Sequence, residues 1–194
     1  MRQHLRKMKR HLCKLVPVAT VVIAGCVPSL HPIYTDGDVV FEEALVGLWR
    51  DTDSPGETWL FTPADDDAYR LVFTESGGEV GAFEVHLAQV GGALFLDLFP
   101  EEPAASAGSF YEAHLVRAHT FLLVESIEPD LRLRAVETEW LSEYLRQYPH
   151  ALAHAEVGDR VVITAPTAEL QRFVLAHLET AGAFGHLAMM ERQE

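Results

Sequence analysis

The chain has 194 residues, with 15 Lys and Arg against 29 Asp and Glu, a formal net charge of −14. Six of the basic residues fall within the first 14 positions, so from residue 26 onward nine arginines and no lysine face all 29 acids, a formal charge of −20. Such a surface repels phosphate backbones, which excludes nucleic acid as a partner, and it disfavours anionic headgroups.

The amino terminus carries the strongest signal. A basic run (Arg2, Arg6, Lys7, Lys9, Arg10, Lys14) precedes an apolar stretch over residues 15–25, and Ile23-Ala24-Gly25-Cys26 closes it. A membrane span needs about 20 apolar residues; this run is shorter and contains Pro17. The order of charged region, short apolar region and small residues is that of a secretory signal peptide. Its last four residues resemble the lipobox of bacterial lipoproteins. That resemblance implies a diacylglyceryl group on the Cys26 thiol, cleavage after Gly25, and attachment to the membrane through the lipid. No other cofactor is expected. Cys13 would leave with the leader, so Cys26 has no thiol with which to form a disulfide. Val27 stands where many lipoproteins of two-membrane bacteria carry Asp as an inner-membrane retention signal. The resemblance therefore implies an outer-membrane protein facing the periplasm if the source has two membranes.

Residues 1–25 thus read as a cleaved signal peptide, 26–38 as a lipidated terminus and tether or strap, and 39–194 as a single β-rich globular domain. The length after residue 25 suits one domain with a full core. Period-two alternation marks strands over residues 58–62, 69–75, 82–90, 93–99, 111–117, 121–125, 131–136 and 160–164. Pro63 to Asp67, Ser76-Gly77-Gly78, Gly91-Gly92, Pro129-Asp130 and Gly158-Asp159 supply the turns. Two helices interrupt the pattern. Thr138 is expected to cap one carrying Trp140, Leu141, Tyr144, Leu145 and Tyr148 to a stop at Pro149. Thr167 is expected to cap the second, whose stripe of Leu170, Phe173, Val174 and Leu178 is amphipathic and ends before Gly182. The expected fold is mainly β with two helices (α+β): an antiparallel eight-stranded meander forming a lipocalin-like barrel, with one helix before the last strand and an amphipathic helix at the C-terminal end.

Leu45-Val46-Gly47-Leu48-Trp49, after a short helical turn at residues 41–45, resembles the opening motif of lipocalins and wider calycin-type barrels. The resemblance implies that Gly47 and Trp49 seal the closed end and that a late arginine, Arg132 or Arg134, stacks on the Trp ring. A second resemblance spans more of the chain. The segments Leu30-His31-Pro32-Ile33-Tyr34-Thr35, Leu45-Val46-Gly47-Leu48-Trp49, Leu96-Asp97-Leu98-Phe99-Pro100 and Thr164-Ala165-Pro166-Thr167-Ala168-Glu169-Leu170-Gln171 together look like a group of bacterial lipoproteins of uncharacterised function, and bring no catalytic residues with them.

Chemical candidates are few. Glu84 and His86 share a strand face, and Glu112 and His114 share one on the segment read as another strand. Side by side these four are candidate metal ligands, although the same alternation describes a solvated strand side. His150 and His154 have helical ligand spacing but lack a third partner, and Asp65-Asp66-Asp67 lacks the Gly and distal Glu of a calcium loop. No nucleophile elbow or phosphate cradle is present, so the chain is expected to be no enzyme. Two functions remain: a packed, non-catalytic interaction module with an envelope protein partner, which the aliphatic and aromatic content of residues 94–99 favours, or a cup for a small apolar ligand or lipid lined by Trp59, Phe61, Leu71 and Phe73. A cavity of roughly 300 Å³ or more separates them.

If Cys26 is the lipidated residue, Cys26→Ala blocks both lipidation and cleavage. Intact-mass analysis of the membrane fraction should show an unprocessed variant beside a wild type that has lost residues 1–25 and gained lipid.

Overall fold

The computed structural model describes residues 26–102 and 108–193, so the leader with Cys13 lies outside the described residues. Among the described residues, eleven strands and three α-helices follow in order. They are β1 (Val39–Val40), β2 (Gly47–Asp51), β3 (Thr58–Pro63), β4 (Tyr69–Thr74), β5 (Val80–Val90), β6 (Ala93–Pro100), α1 (Ser109–Glu112), β7 (Thr120–Ser126), β8 (Asp130–Val136), α2 (Thr138–Gln147), β9 (His154–Val157), β10 (Arg160–Ile163), α3 (Thr167–His177) and β11 (Phe184–Gln193).

Strands β3 to β8 form the expected antiparallel meander; β2, which the alternation did not mark, precedes them, and β11 enters between β8 and β2 to close an eight-stranded barrel. The count matches the expectation, but two members differ. Residues 111–117 are not a strand: Gly108, at φ +93°, starts the helical turn α1 in their place. Residues 160–164 do not close the barrel either, because β10 pairs only with β9 in a separate hairpin. The closing strand comes after α3, where Ala188 and Met190 are buried. The alternation of 160–163 is real; it marks a hairpin with one buried side, which period alone cannot tell from a barrel strand.

There are two cores. The first fills the lumen with Trp49, Phe61, Tyr69, Leu71, Val85, Leu87, Leu96, Leu131 and Leu133, contributed at alternating strand positions. The second lies outside the barrel, where Ala88, Phe95 and Phe121 are covered by α2, α3, β10 and the segment 27–38. Helix α2 begins at Thr138 as expected, and α3 buries Leu170, Phe173 and Val174. Neither threonine caps its helix: the N-cap positions are Glu137 and Pro166, without side-chain cap bonds. The Thr167 hydroxyl instead donates to Pro32 O at 2.8 Å.

That bond is one of several fastening the segment after Cys26 as a strap. Ser29 exchanges backbone hydrogen bonds with His119, Ile163 N donates to Pro28 O, and Gln171 Nε2 donates to Ile33 O and Asp38 Oδ2. Asp97, 1% exposed, accepts from Ile33 N at 2.8 Å and lies 2.6 Å from His119 Nδ1. A buried carboxylate is tolerated only with such partners.

The closed end bears out the lipocalin-like architecture. The 3-10 turn Glu43–Leu45 plugs the base, and Trp49 Nε1 donates to Leu45 O at 2.8 Å. The stacking cation is Arg192 on β11, not Arg132 or Arg134: its guanidinium carbon sits 4.4 Å from the Trp49 ring centroid, and its nitrogens donate to Val46 O and Ala44 O. Arg132 and Arg134 instead pair with Asp130 and Glu125. Gly47 has φ +136°, and a Cβ there would lie 2.6 Å from Arg192 Nη1. The positive φ favours glycine, and a Cβ would push the stacked guanidinium aside.

Trp49→Ala should cost about 3 to 5 kcal/mol, as for large-to-small changes at fully buried aromatic sites. Urea denaturation of the chain from Val27 onward measures it; an unchanged midpoint would contradict the sealing role.

Candidate functional site

The lumen is not filled to the top. Towards the end away from Trp49, a cavity of about 460 Å³ is lined by Trp59, Leu71, Phe73, Phe83, Leu98, Leu122, Ala188 and Met190. At its rim stand Cys26, Asp51, Asp53, Ser54, Glu57, Thr120 and Leu187. The walls are the inward positions at the mouth ends of β3, β4, β5, β6, β7 and β11. Large rings on β3 and β4 face small side chains across the lumen: Trp59 and Phe73 meet edge to face at 5.5 Å, while Ala188 and Thr120 leave room opposite.

Of the four residues expected to line a cup, Trp59, Leu71 and Phe73 do so. Phe61 does not. It lies one inward step deeper on β3, fully buried, with its ring edge-on to Tyr69 at 6.4 Å. Alternation reaches Phe83, Leu98 and Leu122; it does not reach Ala188 and Met190, because a register shift between His186 and Ala188 breaks the pattern in β11.

The rim is acidic on one side. Asp51 Oδ1 accepts from the backbone N–H groups of Asp53 and Ser54, turning β2 into the connection to β3. Burial pushes the Glu57 carboxyl above the ordinary glutamate range, and the Asp51 and Glu75 charges push it the same way. Burial also drives the free Cys26 thiol up to about 11, which makes it a poor nucleophile beside the cavity.

The four candidate metal ligands are not brought together. Glu84 and His86 project from the outer face of β5, where His86 Nδ1 is 2.9 Å from the Tyr34 hydroxyl and its ring stacks on Tyr34. Burial and the Asp97, Glu84 and Asp36 charges raise Tyr34 to about 12, so it stays a hydroxyl at any physiological pH. Glu112 and His114 belong to the α1 turn and the residues after it, where His114 Nδ1 lies 2.7 Å from Phe110 O. Replacing the expected strand by a helical turn is what separates the two pairs. Among the described residues no group of three or more His, Cys, Asp or Glu is placed to hold a metal ion. His154 opens β9 rather than sharing a helix with His150, and Asp65 to Asp67 form the β3–β4 turn, with Asp66 and Asp67 at positive φ.

No protein-family model, curated protein or solved structure matches this chain, so its likeness to lipocalins rests on architecture. Among the described residues no helix is long and apolar enough to cross a membrane.

The raised Glu57 carboxyl has a measurable sign. Its contribution to stability is present in full below the unfolded glutamate pKa, about 4.3, and is lost as pH rises through the higher folded value. Glu57→Gln should therefore raise the thermal midpoint at pH 7, with the gap over wild type closing towards pH 4.

Proposed function

We propose that this chain is a lipid-anchored protein of the bacterial cell envelope whose barrel holds one small apolar molecule or acyl chain, acting by binding rather than by catalysis. The cavity carries the reading. At about 460 Å³ it falls within the range of small-molecule sites and above the threshold that distinguishes a cup from a packed module. The lining is aromatic and aliphatic, and its polar groups are confined to the rim, as suits a ligand with a long apolar body. The lipobox-like sequence at Cys26 supports the envelope location. The absence of basic residues from the lining disfavours a carboxylate or phosphate head against the rim.

A lumen of this kind should take up N-phenyl-1-naphthylamine with a rise in fluorescence and release it to a competing single-chain amphiphile. Ala188→Phe fills the cavity from β11 and should weaken binding at least tenfold, about 1.4 kcal/mol, while the circular dichroism spectrum is kept. Binding that is unaffected in the folded variant, or no binding by wild type, would remove the carrier reading and return the interaction module to the front.

A further inference from the structure

We infer that the barrel docks mouth-down on a lipid bilayer, with Phe110, Tyr111, Leu115 and Val116 seated at the boundary of headgroups and acyl chains and the cavity opening onto the leaflet. The inference deepens the carrier reading and draws one of its two supports from the lipid anchor.

The first support is the lack of slack behind Cys26. Its side chain lines the cavity rim, and Val27, the next residue, is buried. Pro28 O accepts from Ile163 N at 2.8 Å, and Ser29 N donates to His119 O at 2.9 Å. A flexible tether can lift a domain by up to about 3.5 Å per extended residue. Here the first fastened residue follows the anchor directly, so the tether has no free length.

The second support is independent of any lipid. Phe110 is 83% exposed, Tyr111 59%, Leu115 54% and Val116 77%. Isolated exposed apolar residues need no explanation, but large ones clustered on one segment mark a contact surface. The described part of this segment, from residue 108 onward, runs into Thr120 of the rim, which is paired with Leu98 of the cavity wall. The patch therefore adjoins the mouth. Ser29, paired with His119 at the start of β7, places Cys26 on this same side.

Hydrophobicity, not charge, sets the tilt. Asp51, at the end of β2, and Asp53 and Glu57 of the β2–β3 connection lie, in the closed strand order, across the barrel from the β6–β7 connection, which has carboxylates of its own: Glu101, paired with Arg70, Glu102, 3.9 Å from Arg117, and the exposed Glu112. The large apolar side chains of the β6–β7 edge can enter the interface while the carboxylates of both edges stay at or above the headgroups. Arg117 lies over Phe99 at 4.8 Å and donates to Pro100 O, which places one cation beside the entering edge. A ligand would then pass between leaflet and cavity without crossing water, so the ligand class is an acyl chain drawn from the membrane rather than a solute.

Full-length protein carrying Phe110→Cys or, at the closed end, Asp65→Cys, each with Cys13→Ser, would be nitroxide-labelled in phosphatidylethanolamine and phosphatidylcholine vesicles. Collision with oxygen and with a water-soluble nickel chelate gives the depth of each label, and intact mass of the same samples reports the lipid on Cys26. The expected result is a position 110 label shielded from nickel and rich in oxygen collisions, with the position 65 label fully aqueous. Lipidated protein with both labels aqueous overturns the docking and leaves the anchor standing. Unlipidated protein with position 110 still immersed upholds the docking and removes the anchor, and unlipidated protein with both labels aqueous removes both.

Discussion

The double pairing of β11 is the contact on which the rest of the structure depends. It joins β2 through Met190 to Gln193 and β8 through Phe184 to Glu191, so the two barrel strands that would otherwise be open edges are both paired. The same strand delivers Arg192 to the Trp49 ring at the base and Ala188 and Met190 to the cavity wall above it. Seal and site are two stretches of one strand. The residues between β8 and β11 hold α2, the β9–β10 hairpin and α3, and these elements must pack on the barrel's outer face for β11 to return in register.

That outer packing gives the N-terminal strap its rigidity. The strap is held from three directions: by Asp97 and His119 from the barrel, by Ile163 from the hairpin, and by Thr167 and Gln171 from α3. Polar groups dominate these contacts, with Val27 and Ile33 as apolar pegs beneath them. Such a distribution fixes a direction as well as an affinity, because hydrogen bonds are directional and apolar burial is not. The position of Cys26 at the mouth follows from it.

The lumen divides by side-chain volume. Near the base, Trp49, Phe61, Tyr69 and Leu87 interdigitate with no exposure, and the buried Tyr69 hydroxyl finds Glu42 O and N in the plug. Towards the mouth, the aromatic residues of β3 and β4 are answered by Ala188 and Thr120, and the space stays open. A barrel of eight strands is near the size at which side chains alone can fill the interior, so small residues at a few inward positions suffice to leave a cavity.

By itself the sequence determined the class of the fold, the positions of α2 and α3, the run of strands from Thr58 to Pro100, the closed-end role of Gly47 and Trp49, and most of the aromatic lining. These are local properties: alternation, turn chemistry and a glycine beside a buried ring are written within a few residues of one another. Tertiary structure decided which strand closes the barrel, which arginine stacks on Trp49, and that residues 111–117 form a rim segment rather than a strand. It also decided that Cys26 stands at a cavity. Each of these turns on residues far apart in the chain, Trp49 with Arg192 or Ser29 with His119 and Ile163. Strand β11 was hidden for a local reason as well: Gly185, Ala188 and a register shift between His186 and Ala188 break the alternation where it would have been read. Period two reports only that one side of a segment is buried, and several partners could bury it; which partner does so is settled when the whole chain packs.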